Sequence, residues 1–179
     1  MIDQENIVIQ SVSDFFRKTN LTYNLFLAVP LIIFIFLFLE KRENGWVALI
    51  TDDQYAEYVS YFCFPVALAL LYFGYRGFYE RIRMSPPDGE LIEKLTWFYK
   101  SFIVQQFFFG GSSLLSLIAL YLTGNSGFVV VYVLILFISS ILRPSDERVA
   151  KSLRLNREER EVVSRKKHSI KEHNKKNVE

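Results

Sequence analysis

Charge is almost missing from four long stretches of this chain, at about residues 21–39, 58–78, 101–122 and 125–142. A water-facing helix carries ionisable side chains on its outer side. A run such as residues 31–39, with no polar side chain at all, excludes that arrangement. Cysteine is scarce too. Cys63 stands alone, so an internal disulfide and a Cys-x-x-Cys redox couple are both excluded. The two histidines, His168 and His173, lie far from the apolar stretches, which leaves those stretches without an imidazole base. No internal repeat is present. Acidic Asp3, Glu5 and Asp14 stand where a secretory leader needs positive charge, and no small-residue cleavage site follows the first apolar run, so a signal peptide is not expected. No lipidation motif is visible.

What remains is 179 residues, 51% hydrophobic and 16% aromatic, with a mean hydropathy of +0.18. These nearly charge-free windows take up nearly half of the chain and leave too little polar sequence for a second ordinary domain. A membrane-spanning helix needs about 20 apolar residues. The expected fold class is therefore all-α: an integral membrane protein with four transmembrane helices and a basic helical cytoplasmic tail. The expected domains are an amphipathic segment at 1–20, a four-helix membrane domain at 21–142 and a basic tail at 143–179. The first segment has Ile9, Val12 and Phe16 at helical spacing, which suits the membrane interface or packing on the protein itself. Pro30 and Pro65 fall inside the first two spans and mark candidate kinks.

The connections carry turn signals. Asn44-Gly45 opens the first, where the island at Trp46–Ile50 suits an interface. Pro86-Pro87-Asp88-Gly89 marks a turn in the second, followed by an amphipathic lead-in from Glu90 to Lys100. Thr123 to Gly127 makes a tight hairpin between spans three and four.

Two spans carry small residues at helical spacing. Ser60, Cys63, Ala67, Gly74 and Gly77 form a stripe on the second. On the third, Gly110, Ser112, Ser116 and Ala119 recur near Gln105, Gln106 and Phe109. Small side chains let helix backbones approach closely, and packing drives association in lipid, so the two faces are expected to meet. Gln105 and Gln106 are the deepest strongly polar groups, and helix–helix hydrogen bonding accounts for them.

The tail holds 12 Lys and Arg against 7 Asp and Glu. Helix starts are expected at Ser145, before Asp146 and Glu147, and at Asn156, where Glu159 completes a capping box. With four spans, 19 of the 21 basic residues fall on the side of the N-terminus, the second connection and the tail. Positive residues stay inside, which puts both termini in the cytoplasm of a plasma (inner) membrane. Arg143, Arg148, Lys151, Arg154, Arg165, Lys166 and Lys167 are the expected contacts for anionic lipid or a partner. Nucleic acid is not an expected partner, since no recognition module accompanies the bases.

Chemistry is sparse. Proton relays and ion sites need ionisable groups at depth, and none lies well inside a span. Gly110-Gly111-Ser112-Ser113 looks superficially like a protease Gly-x-Ser, but no general base accompanies it. No catalytic residue, metal or cofactor is expected. The expected role is a structural or interaction subunit of a membrane assembly, as a homo-oligomer or beside other subunits. The alternative is an oligomeric pore lined by Gln105, Ser112 and Ser116.

Overall fold

The computed structural model describes residues 2–44, 48–86 and 89–164, and all regular structure among them is helical. The helices are α1 (Ile2–Asn44), α2 (Asp53–Arg83), α3 (Leu91–Thr123), α4 (Gly127–Ile141) and α5 (Asp146–Ser152). A last one, α6, covers 157–164. The turns expected at Asn44-Gly45 and Pro86-Pro87-Asp88-Gly89, the first two residues of the Trp46–Ile50 island and the bases Arg165, Lys166 and Lys167 fall wholly or partly outside the described residues.

Three helices are long and apolar enough to cross a membrane: residues Ser11–Glu40 of α1, α2, and α3. The count reaches four if α4 and α5 are taken as one bent span. The apolar run expected at 125–142 yields only 15 helical residues in α4. At about 1.5 Å per residue that is about 22 Å, short of the ~30 Å of a hydrocarbon core.

α1 passes residue 20 without a break, so the amphipathic segment and the first apolar run form one helix of 43 residues. Nothing near residue 20 stops it. The Thr19 hydroxyl donates back to the Phe15 carbonyl at 2.7 Å and so finds its partner within the helix. Pro30 and Pro65 likewise lie inside unbroken helices. The second connection is shorter than expected, because the lead-in at Glu90–Lys100 is the first part of α3.

Helix ends have local causes. α3 stops at Gly124, whose φ of +65° suits a residue without a side chain, and its N–H donates to the Leu120 carbonyl at 2.9 Å. Asn125 Oδ1 then accepts from the Gly127 N–H at 2.9 Å and opens α4. Pro144 holds the preceding residue out of the helical region and follows the end of α4. Ser145 caps α5 by accepting from the Arg148 N–H at 3.3 Å. At α6 the Asn156 N–H donates to the Glu159 carboxylate at 2.8 Å, the return half of a capping box.

The contacts divide the chain into two units. The first comprises residues 1–22, 79–102 and 144–179. Its core holds Val12 and Phe16 of α1, Ile82 of α2 and Leu95 and Phe98 of α3. Val149, Leu153, Leu155 and Val163 are buried in the same unit. Trp97 Nε1 donates to the Arg81 carbonyl at 2.7 Å and ties α2 to α3.

The second unit comprises residues 23–78 and 103–143. α3 is its central helix: 56% of its apolar window is buried, against 17% for α1 and 11% for α2. Ala67, Leu71, Phe109, Val131 and Ile135 form one core cluster, and Leu37, Leu117 and Tyr132 another. On α1, Leu25, Ile32, Phe36 and Leu39 are exposed at helical spacing. A patch of that extent matches a lipid-facing surface.

Candidate functional site

The polar interior of the second unit is the first candidate. Gln105, Gln106, Ser112, Ser113 and Ser116 are all buried on α3, and Ser139 is buried on α4. Ser112 Oγ donates to the Ala67 carbonyl at 2.8 Å across the α2–α3 seam. Ser116 Oγ turns to the Ser112 carbonyl at 2.9 Å within its own helix. These hydroxyls therefore spend their hydrogen bonds on the chain's own backbone.

The small residues divide by what they touch. A Cβ on Gly74 would stand 2.7 Å from Phe108 Cβ and 3.1 Å from the Phe109 ring, so this glycine permits the α2–α3 approach. Gly110 does the same toward α1, where its Cβ would meet Phe26 Cδ1 at 2.8 Å. Ala67 and Ala119 are fully buried, and Cys63 packs against the Ala119–Leu120–Phe128 cluster. Ser60 accepts from Asn125 Nδ2 at 3.3 Å. Gly77 and Gly111 have nothing within 4 Å of a Cβ, and Gly111 is exposed.

Two features of this unit escape a reading by residue type. Tyr132 is fully buried and stacked on Phe34 at a centroid distance of 4.8 Å, and its hydroxyl has no hydrogen-bond partner among the described residues. Tyr23 Oη donates to the Ser139 carbonyl at 3.3 Å. The signal for Tyr132 was available as periodicity, since Phe128, Val131, Tyr132, Ile135 and Ser139 form one buried stripe of α4.

The second candidate is the basic segment of the first unit. Val149, Ala150, Leu153, Leu155 and Val163 are buried, so the segment is packed rather than free. Lys94 of α3 is 5% exposed and its Nζ meets Glu159 Oε1 at 2.9 Å, an ion pair 65 residues apart in sequence. Arg143, Lys151 and Arg154 are exposed, as are Arg157 and Arg160, whereas Arg148 is half-buried.

Arg154 has φ +51° in the left-handed region. Its N–H donates to the Lys151 carbonyl at 3.4 Å and the Leu155 N–H to the Ala150 carbonyl at 3.1 Å, a helix-ending motif that ordinarily holds glycine. A side chain there costs about 1 kcal/mol.

Both ends of the exposed face of α2 within this second unit carry tyrosines, Tyr55, Tyr58 and Tyr61 at one and Tyr72 and Tyr75 at the other. Tyr58 and Tyr75 are 17 residues apart, about 26 Å along a helix, and Phe62, Phe64 and Leu68 are exposed between them. That spacing matches the two aromatic belts of a bilayer, one at each interface. Comparison with protein-family models, with curated proteins and with solved structures gives no match.

Proposed function

We propose that this chain is a structural or interaction subunit of a membrane assembly, without catalytic activity, that docks anionic lipid or a partner through its basic carboxy-terminal segment. In this reading the chain crosses the membrane four times, α4 being the short fourth span, and both termini are cytoplasmic. The distribution of bases supports that orientation, with 19 of 21 on one side.

One observation carries the docking role. Arg154 occupies a left-handed position that glycine would fill without strain, and its side chain is exposed between the exposed Lys151 and Arg157. Strain of this kind persists where a side chain serves another purpose. The buried apolar side of α5 and α6, with the Lys94–Glu159 pair, gives these bases a fixed platform.

The pore alternative draws less support. Gln105, Ser112 and Ser116 are fully buried within one chain. An oligomer could line a channel with them only by opening its own bundles.

The test uses Arg154→Gly and Lys151→Gln in the full chain, in nanodiscs with and without phosphatidylglycerol. A base near an anionic surface contributes about 1 kcal/mol. The two substitutions together should weaken retention of the anionic lipid, or capture of an associated subunit, by about thirtyfold, a total of ~2 kcal/mol. Thermal stability should stay equal or rise, because Arg154→Gly relieves strain. Undiminished retention and capture would remove the docking role.

A further inference from the structure

α1 carries Pro30 in the middle of its apolar run, and proline has no N–H. The carbonyl four residues earlier, on Phe26, therefore loses its helical donor. In hydrocarbon such a group must find another partner, because no bulk water reaches it.

A small cavity lies at this point. Phe26, Pro30, Gln106, Ser113 and Ser139 are among its lining residues, and it offers about 10 Å³ for the centre of a water molecule. That is close to the least space one water needs, and a buried water also needs two to four polar partners. Gln106 is 3% exposed, Ser113 5% and Ser139 8%. No hydrogen bond of the Gln106 side chain occurs among the described residues.

Gly110 brings the helices together here, since any Cβ would strike Phe26. Phe26 also packs edge-on against Phe107 at 5.1 Å.

We propose that this cavity binds a single water molecule, which donates to the Phe26 carbonyl and joins it to Gln106 and to Ser113 or Ser139. The chemistry selects water over an ion. The lining holds amide and hydroxyl groups and no carboxylate, so a cation would carry an uncompensated charge at depth. Water needs both donors and acceptors, and an amide with two hydroxyls supplies both.

Two measurements test the site. A density map of the wild-type protein that resolves ordered water should show one peak within hydrogen-bonding distance of the Phe26 carbonyl and Gln106. A map at that resolution with no such peak, or with the Gln106 amide bonded directly to the carbonyl, overturns the proposal.

The second is a double-mutant cycle. Gln106→Leu should lower the folded-to-unfolded ratio on the order of tenfold beside Pro30. Its effect should fall below about twofold beside Pro30→Ala, where the restored N–H takes the Phe26 carbonyl and the water loses its main task. Equal effects in both backgrounds overturn the proposal. Ser113→Ala replaces Gln106→Leu if the latter does not fold.

Discussion

Gly74 and Gly77 lie three residues apart on α2, yet alanine should act on them in opposite directions. At Gly74 the new methyl group would stand 2.7 Å from Phe108 Cβ and 3.1 Å from the Phe109 ring. Carbon atoms in good contact sit about 3.5–4.0 Å apart. Phe108 Cβ is tied to the backbone of α3 and cannot swing aside, so the two helices must separate by about 1 Å. Overpacking of this kind costs about 1–3 kcal/mol, partly offset by about 0.5–1 kcal/mol gained when glycine leaves a helix interior. The net expectation for Gly74→Ala is a loss of about 1–2 kcal/mol. At Gly77 nothing lies within 4 Å of the added carbon, so only the helix gain remains and the variant should be more stable by about 0.5–1 kcal/mol. The two variants should therefore differ by about 1.5–3 kcal/mol. Loss of helical circular dichroism across a dodecyl sulfate titration in mixed micelles reads this difference. If Gly74→Ala proves as stable as Gly77→Ala, the close approach of α2 and α3 at this level is wrong.

Tyr132→Phe removes a buried hydroxyl that has no partner among the described residues, and should stabilise the fold by about 1 kcal/mol in the same titration. A loss of similar size would mean that the hydroxyl is bonded. Lys94→Met leaves Glu159 without its cation and should cost about 2–3 kcal/mol, less than a fully buried pair because the Glu159 side chain is 19% exposed. Adding Glu159→Leu should recover at least half of that loss; equal instability of the single and double variants would show that the pair is not what holds α6. Gly111→Ala, on an exposed position with open space around it, should be neutral or stabilising by up to about 1 kcal/mol, and a clear loss would place an unseen neighbour there.

The three long helices were legible because charge avoidance is a strong and local signal. Helix ends were legible where a residue carries its own reason to stop or start one, as Gly124 stops α3 and Ser145 and Asn156 open α5 and α6. The continuity of α1 through residue 20 was not, since what buries Val12, Phe16 and Thr19 comes from chain segments 60 or more residues away. The small-residue stripes pointed to close helix approach, and Gly74 and Gly110 make such approaches. Spacing alone could not say that Gly110 meets α1 rather than α2, nor that Gly77 and Gly111 touch nothing. The basic segment read as a polar tail because its apolar residues are thin on the sequence. Val149, Leu153 and Val163 become a packed face only when the partners in their unit are present. The Lys94–Glu159 pair has no local signature at all.

The first unit gathers residues 1–22, 79–102 and 144–179, three segments made at well-separated times during synthesis. Val12 and Phe16 are synthesised early, yet the core they belong to is completed only when Val149 and Val163 arrive. During that interval their apolar faces are only partly covered and open to chaperones and proteases, and the unit closes only after residue 163 has emerged. A nascent chain stalled before residue 149 should therefore be cleaved within residues 1–22 more readily than the full chain, and a truncation that removes α5 and α6 would be sensed more than a hundred residues earlier in the sequence.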